Sequence, residues 1–324
     1  MPPPPAILTA LLAMTPADLL RDLLPNPPYQ RADAPYRLLQ LTGPDAGEFL
    51  HRLCTQDVLG LPAGRSRKAA FLDAKGKLLA VCAIGRVGDA FWVETPAEAA
   101  DGLAALLERY HFTEKLAIAP LAAGPCAETV AFAAAGDGEG GGGDGTAALV
   151  DGAPVMTTRR RGLVFTRRFG APAAGDALGA AGAAGAAGAA AFDAARAECV
   201  RLLVGDVRVG RETEPTTLAL EADLDDAIST TKGCYTGQEI VARIHTYGHT
   251  NRKLCLLRLD PGPAIDAPQP LHEVEDQLAV GRVMRAAVAP GGGYRVGMGF
   301  LPKDFQAMGS VVALADGSRA TVLG

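Results

Sequence analysis

Short apolar segments of strand length dominate residues 36–118, and only two amphipathic helical segments interrupt them. One helix follows Thr42-Gly43-Pro44-Asp45 and carries an apolar stripe of Phe49, Leu50 and Leu53. The other begins at Pro96 and runs to about Tyr110. Neighbouring strands separated by two helices predict an α+β module and argue against a doubly wound parallel sheet. The strand-like segments are Tyr36–Thr42, Ala69–Asp73, Leu78–Val87, Phe91–Glu94 and Leu116–Ile118.

The last 70 or so residues follow a different, all-strand pattern. Gly291-Gly292-Gly293 and Asp316-Gly317 supply turns between strand-like runs. This pattern predicts a C-terminal domain, 253–324, that forms a small antiparallel β-barrel. The strand-like runs are Leu254–Leu259, Gln277–Ala289, Tyr294–Phe300 and Ser310–Leu323.

Two low-complexity stretches interrupt the middle of the chain. Residues 136–145 are almost all Gly, and residues 175–191 are Ala and Gly with a single acid. The first lacks the Gly-Lys-Ser/Thr ending of a phosphate-binding loop, so both are interpreted as variable insertions. We therefore expect an N-terminal variable segment at 1–30 and a core at 31–252 that contains the insertions. After them, residues 192–203 have the apolar spacing of a helix.

Composition excludes several classes of protein. A net charge of −5 gives no global attraction to nucleic acid or to an anionic membrane. The apolar run near the N-terminus has no Lys or Arg before it, so a cleaved export signal is not expected. The six cysteines are widely spaced, Cys234 and Cys255 being the nearest pair, which excludes zinc-finger spacing. These features predict a cytoplasmic monomer with reduced thiols, bound to neither DNA nor a membrane.

The signature segment, Thr231–Glu239 (Thr-Lys-Gly-Cys-Tyr-Thr-Gly-Gln-Glu), leads into a helix predicted over 237–247. Thr236 and Glu239 have the spacing of a capping box, in which each residue bonds the backbone N–H of the other. Glu239 and Arg243 are spaced as an i,i+4 ion pair on the helix surface.

Cys234 lies two residues before this predicted cap, with Lys232 nearby. Unpaired N–H groups, the positive end of the helix dipole and a neighbouring ammonium all favour a thiolate over a thiol. Such a thiolate serves as a nucleophile, as a redox-sensitive group or as a ligand for iron. The other five cysteines lie in apolar runs and are expected to be small buried hydrophobes.

The signature segment, continuing through Val241-Ala242-Arg243, resembles the signature of the YgfZ-type proteins, a folate-binding family related to the glycine-cleavage T-protein. Asp73-Ala74-Lys75-Gly76-Lys77 is similar to that family's hairpin, and weak similarity extends over roughly 36–324. The resemblance implies a T-protein-like ring of modules around a central folate cavity. It also implies tetrahydrofolate or a derivative as cofactor, and a role in the assembly or repair of iron–sulfur clusters.

The resemblance also implies the site residues. Cys234 and Lys232 would carry activity, and Cys234 would be a ligand for an iron–sulfur cluster shared transiently with a partner. From the residues themselves, Arg161 belongs to an Arg-rich run, 159–168, which is either the solvated ends of strands or a docking site for an anionic group such as the glutamate tail of folate. RNA is a further alternative, although the run lacks the aromatic interleaving of a stacking surface. Asp101 is expected to be an exposed helix acid. The expected folate contacts are Tyr235, Gly237, Gln238, Glu239, Arg243, Glu212 and Arg161.

Departures from the T-protein pattern decide how the functional hypotheses are ranked. Leu203 stands where both families commonly carry Glu, and the T-protein commonly has an acid where this chain has Cys234. The first hypothesis is therefore a folate-binding accessory factor that meets iron–sulfur assembly or client proteins. The second is a folate-dependent aminomethyl or one-carbon transferase, and the third is a non-catalytic interaction module of the same fold. Whether the protein is an enzyme stays open between them.

Overall fold

A computed structural model describes residues 14–122, 124–134, 144–170, 189–275 and 277–324. The proline-rich start, residue 123, residue 276 and most of the two low-complexity stretches lie outside the described residues. The chain folds as two compact units. The sheet unit comprises Asn26–Phe192 and Leu224–Thr246. The barrel unit comprises the chain up to Pro25, Asp193–Asp223 and Tyr247–Gly324.

The described residues contain five α-helices, and all of them are short. They are α1 (Pro16–Leu23), α2 (Ala46–Leu53), α3 (Ala100–Arg109), α4 (Ala194–Leu203) and α5 (Gln238–Tyr247). Short 3₁₀ turns at Ala97–Ala99, Asp225–Ala227 and Lys303–Phe305 accompany them. Within the described ranges, no helix is long and apolar enough to span a membrane.

Eleven strands of the sheet unit form one sheet. Its order is β11-β1-β7-β10-β9-β8-β3-β4-β5-β2-β6, and its pairs are antiparallel except the pair of β1 with β11. The strands are β1 (Tyr29–Arg31), β2 (Tyr36–Thr42), β3 (Arg65–Leu72), β4 (Leu78–Val87), β5 (Ala90–Pro96), β6 (Ala117–Pro120), β7 (Cys126–Phe132), β8 (Gly145–Val150), β9 (Ala153–Arg160), β10 (Leu163–Phe169) and β11 (Ala190–Ala191).

Alternation along the strands gives the sheet unit two apolar cores. In one, Phe49 and Leu50 of α2 and Leu103 of α3 pack with buried side chains of β2–β5. The other core includes Trp92 and Met156 and joins β2, β4 and β5 to β7–β10. The helices therefore cover one face of the β2–β5 region, while its other face packs on side chains of the remaining strands.

The barrel unit contains a closed six-stranded barrel with the order β12-β15-β14-β13-β16-β17. Its interior is filled by side chains that include Leu257, Leu271, Val283 and Val312. Tyr294 beside the barrel donates a 2.7 Å hydrogen bond to Asp22 on α1. The strands are β12 (Arg252–Leu259), β13 (Gln269–Glu273), β14 (Ala279–Val288), β15 (Arg295–Pro302), β16 (Val311–Ala313) and β17 (Arg319–Val322).

The structure confirms the α+β class and the C-terminal antiparallel barrel. β2 and β4 have the predicted bounds, while the run predicted at Ser310–Leu323 is two strands joined at Asp316-Gly317. The four strands β7–β10 were missed, and in β9 and β10 the reason is that the buried inward positions Thr158, Arg160 and Arg167 are polar and break the apolar alternation. The predicted three-part division of the chain stays a prediction.

Candidate functional site

The signature segment lies against the C-terminal end of α2. The backbone N–H of Thr236 donates to the carbonyl of Arg52 at 3.2 Å, and just upstream Ser229 donates to Thr55 at 2.9 Å. The hydroxyl of Thr55 in turn donates to the carbonyl of Ala227 at 2.6 Å. Hydrogen bonds at Ala227, Ser229 and Thr236 therefore hold this part of the chain to the end of α2 and the residues after it.

Lys232 anchors the signature segment to the end of that helix. Its Nζ donates to the carbonyl oxygens of His51, Cys54 at 2.7 Å and Gln56 at 3.1 Å. The last carbonyls of a helix lack intrahelical partners and carry the negative end of the dipole, so they favour a cation. An ammonium has three N–H donors, and here all three have acceptors. Burial lowers the pKa of Lys232 from its usual value.

Two glycines lock the start of α5 onto the β3–β4 hairpin. Gly237 has φ +82°, and a Cβ added there would lie 2.5 Å from the carbonyl oxygen of Asp73. A Cβ on Gly76, at φ +74°, would lie 2.8 Å from the Cβ of Ile240. Both positions need glycine for conformation and for space. The two motifs that carry the family resemblance, the hairpin and the signature segment, are thus in direct contact.

Between these two anchors, Cys234 is exposed, and it is the only exposed cysteine of the six, all of which lie in the described ranges. Cys54, by contrast, is buried, and burial raises the pKa of its thiol. The expectation that the other five cysteines are buried is confirmed. Cys234 is consequently the thiol that a solute or a partner protein can reach.

The imidazole of His51 lies close to the signature segment. A Cβ on Gly233 would lie 3.9 Å from its Nε2, and its Nδ1 lies 3.5 Å from Asp57 Oδ1. Burial and, next, the charge of Lys232 lower the pKa of His51. A neutral imidazole beside the residue that precedes Cys234 can accept a proton. No sequence motif marked this residue.

The predicted capping box is wrong in detail. The helix begins at Gln238, and Gly237 before it is left-handed, whereas an N-cap residue has extended backbone. The reach-back contact comes instead from Gln238, whose Oε1 accepts the N–H of Tyr235 at 3.1 Å. Glu239 and Arg243 are both exposed. The predicted ion pair between them does not form in the described part of the chain, which leaves both side chains available to a ligand.

The Arg-rich run is divided by strand alternation between two faces of the sheet. Arg160 and Arg167 are buried, whereas Arg159 and Arg168 are half-buried on the opposite face. Arg161 is exposed at the tip of the β9–β10 hairpin, with φ +46°. The single basic patch predicted from the sequence is therefore wrong, because neighbouring strand residues point to opposite faces.

Arg167 belongs to a buried ion network. It donates to Glu94 and to Glu128 at 2.7 Å, and Arg31 also donates to Glu128 at 2.7 Å. The guanidinium carbon of Arg167 lies 3.5 Å from the ring centroid of Tyr36. Burial raises the pKa of Glu94 despite Arg167. Buried ions are costly unless they are paired. The network therefore ties β5, which carries Glu94, to β1, β7 and β10, which carry the other three residues.

Glu212 and Asp101 have environments that bear on their predicted roles. The Glu212 carboxylate is fully buried and accepts from Arg201 at 2.7 and 3.1 Å and from the backbone N–H of Arg208 at 2.8 Å. These contacts occupy Glu212 within the barrel unit. Asp101 is exposed on α3, as expected of a helix acid.

Lys68 was missed by the sequence interpretation. It is 4% exposed at an inward position of strand β3, and its Nζ lies 2.8 Å from Asp226 Oδ1, just upstream of the signature segment. A charge at an inward position of a strand is the signal that could have revealed it.

Comparisons with known proteins show what the chain is similar to. No family model matches it. It is 29% identical over 253 residues to the tRNA-modifying protein YgfZ of Cronobacter sakazakii, covering 75% of this chain and 74% of that protein. This similarity to YgfZ extends over about three quarters of each chain.

Two further similarities differ in what they cover. A chloroplastic transferase of Arabidopsis thaliana, At1g60990, is 31% identical over 123 residues, which is 37% of this chain but only 27% of that protein. The solved structure of the glycine cleavage system aminomethyltransferase T from Bartonella henselae matches with a TM-score of 0.70 at 19% identity. That match covers 94% of this chain and 87% of the other, and it shows that the chain has the T-protein fold.

Proposed function

We propose that the protein is a tetrahydrofolate-binding accessory factor for the assembly or repair of iron–sulfur clusters, with Cys234 as the residue that meets the cluster. The proposal includes a cytoplasmic location and a monomeric state. The observation that carries it is the presentation of Cys234: one exposed thiol between the Lys232 anchor and the Gly237 anchor. Thiolates are ligands that iron prefers.

A single cysteine cannot hold a cluster alone. No group of three or more His, Cys, Asp or Glu side chains arranged for a metal occurs within the described ranges. In the proposal the cluster is cargo, and a partner protein or an external thiol supplies its other ligands. Exposure of Cys234 is what such sharing requires. The YgfZ relative is named a tRNA-modifying protein. An enzyme of tRNA modification is therefore one candidate for the client protein that receives the cluster.

The residues around the signature segment fit a folate by their donor chemistry. The T-protein fold is the reason to test folate, and the exposed, unpaired Glu239 and Arg243 offer the two charges that it needs. A carboxylate accepts from the N–H groups of the pterin edge, and a guanidinium binds the glutamate tail. Glu239 would hold the pterin, with Arg243 or Arg161 on the tail. Tyr235 and Gln238 would support this site through their mutual hydrogen bond.

The test has two arms that report on separate parts of the proposal. In a deletion strain, Cys234→Ala should fail to restore the activity of an iron–sulfur enzyme, while the matched change at the neighbouring exposed Thr231→Ala restores it. Full restoration by Cys234→Ala would refute the role of the thiol. In calorimetry with tetrahydrofolate, the Glu239→Gln and Arg243→Gln variants should each bind at least tenfold more weakly than wild type. No heat from wild type at high micromolar folate would refute folate binding.

The second candidate is a folate-dependent one-carbon transferase, and the T-protein fold favours it. It needs a base near the donor amine, and His51 is the group beside the signature segment that could serve. Formation of methylene-tetrahydrofolate from an aminomethyl donor, lost in His51→Asn, would support it. Absence of product with every amine tested would leave the accessory role.

A further inference from the structure

A surface groove lies at the end of α2 that is opposite the Lys232 anchor. Its volume is about 600 Å³, which is within the range of ligand-binding clefts. Its walls come from three neighbouring parts of the sheet unit, namely the first turn of α2, the loop after α2 and the β4–β5 hairpin. Three side chains that line it are exposed, so a solute can reach the groove. They are Glu48, Leu59 and Asp89.

The floor of the groove is apolar. Phe91 on β5 is buried, whereas Leu59 stays 41% exposed. Both lie against Gly47, where an added Cβ would be 3.2 Å from Leu59 Cδ2 and 3.2 Å from Phe91 Cε2. A side chain at this position would cover the two apolar groups. Glycine therefore leaves them accessible from the groove.

A guanidinium is fixed beside this floor. Arg86 pairs with Phe91 across the β4–β5 ladder, and its guanidinium carbon lies 5.9 Å from the centroid of the Phe91 ring. Its Nε donates to the carbonyl of Gly88 and its Nη1 to the carbonyl of Leu61, both at 3.3 Å. In the described part of the chain, Nη2 has no acceptor and Arg86 forms no ion pair. The guanidinium is thus held in place while Nη2 stays free for a carboxylate.

Carboxylates of Glu48 and Asp89 also line the groove. Glu48 is in the first turn of α2 and Asp89 is in the turn between β4 and β5. Neither carboxylate forms an ion pair or a hydrogen bond within the described ranges, although Asp89 is only three residues from Arg86. The groove therefore offers a positive group, two negative groups and an apolar floor, and these charges do not pair with one another.

We propose that this groove binds a zwitterionic α-amino acid with an apolar side chain. The α-carboxylate would accept from Arg86, and the α-ammonium would donate to Glu48 or Asp89. The apolar side chain would pack on the floor. The two acids would repel a simple anion such as phosphate, and Arg86 would repel a polyamine. A purely apolar ligand would leave all three charges unused.

This groove is separate from the signature segment, and the inference does not rest on folate binding or on Cys234. The helix α2 has 8 residues, so it separates the groove from the Lys232 anchor by about 12 Å. Occupancy of the groove can therefore be measured without folate and without a cluster.

Isothermal titration calorimetry with the full chain tests the two ligand charges one at a time. L-Leucine and L-phenylalanine are the probes, L-leucinamide lacks the carboxylate charge, and N-acetyl-L-leucine lacks the ammonium charge. Leucine should bind about tenfold or more tightly than either derivative, because a hydrogen bond between charged groups is worth at least that factor. The derivatives also resemble the two ends of a peptide, so they distinguish a free amino acid from a peptide terminus.

Variants of the lining residues assign each ligand charge to its partner. Arg86→Gln should reduce the affinity for leucine about tenfold, to that for leucinamide, which the variant should not change. Glu48→Gln/Asp89→Asn should weaken leucine and leucinamide but leave N-acetylleucine unchanged. Damage to the fold would weaken all three ligands alike, so this pattern separates lost binding from lost folding. Arg109→Gln, an exposed change on α3, is the matched control and should bind as wild type does.

Four outcomes would overturn the proposal. One is the absence of heat from leucine and phenylalanine at high millimolar concentration. The second is a derivative that binds as tightly as leucine, because the ligand would then be a peptide end. The third is an Arg86→Gln protein that binds leucine as wild type does, because the site would then lie elsewhere. The fourth is tighter binding of inorganic phosphate or spermidine, because the groove would then select one sign of charge.

Discussion

Replacing Lys232 by Met separates two roles that the signature lysine could have. Met keeps most of the apolar stem but removes the ammonium that three carbonyls of the α2 terminus share. If Lys232 is an anchor, the change destabilises the sheet unit. If it serves mainly to ionise Cys234, the fold is unaffected and the thiol becomes less reactive.

The expected loss in the free energy of unfolding is about 2–4 kcal/mol. A buried acceptor that loses its donor costs about 1–3 kcal/mol, and three acceptors are affected here. Water can reach part of this half-buried site and replace some of the lost hydrogen bonds, which brings the sum below its upper limit. Lys232→Arg should recover only part of the loss, because a planar guanidinium does not match three converging carbonyls.

Urea unfolding followed by fluorescence measures this loss cleanly. The chain has one tryptophan, and Trp92 is 2% exposed in the core of the sheet unit, so its emission reports on that unit. Lys75→Met, at an exposed position of the β3–β4 hairpin, is the matched control and should change stability by less than about 0.5 kcal/mol. A Lys232→Met protein as stable as wild type, with slower labelling of Cys234 at neutral pH, would refute the anchor.

Three other changes test features of both units. Gly237→Ala should cost at least 2 kcal/mol or so in the same urea assay, because it combines left-handed backbone with a Cβ 2.5 Å from the Asp73 carbonyl; a neutral result would contradict the packing. Arg167→Met should cost about 3–5 kcal/mol by leaving two buried carboxylates unpaired, and a loss below 1 kcal/mol would show that the network is dispensable. Burial opposes the ionisation of Glu198, but its hydrogen bond with Arg201 and nearby arginine charges outweigh burial and lower its pKa to about 2. Because this pKa is below the unfolded value, the stabilisation is present above about pH 4.5 and lost as pH falls toward 2. Glu198→Gln should therefore remove about 2–3 kcal/mol at pH 7 and flatten the acid limb of the stability profile measured by calorimetry, whereas an unchanged acid limb would contradict this assignment.

Local patterns predicted the elements whose signals are local. The stripe of Phe49, Leu50 and Leu53 marked α2, and turn residues marked the barrel strands. β9 and β10 escaped because a strand signal needs apolar side chains at alternate positions, and here Thr158, Arg160 and Arg167 occupy buried positions. Their alternation also decides which arginines are buried, so the single basic patch failed together with the strands.

The sequence named Lys232 and Cys234 as site residues, which stays a prediction, but it did not reveal their contacts. The exposure of Cys234 agreed with its flanking glycines and lysine. The partners of Lys232 are backbone carbonyls about 180 residues away in the chain, and carbonyls leave no trace in residue identity. Long-range backbone acceptors of this kind need coordinates. The same is true of Gly237, whose need for glycine comes from the Asp73 carbonyl.

The two anchors also set the permitted length of the signature segment. Lys232 is tied to α2 and Gly237 to the β3–β4 hairpin, so four residues must span a fixed gap. One residue more or fewer would force the backbone between the anchors to bulge or to stretch, since each residue adds at most about 3.3–3.6 Å of chain. The position of the thiol is therefore defined by counting from both ends, and the spacing is as much a part of the motif as the cysteine.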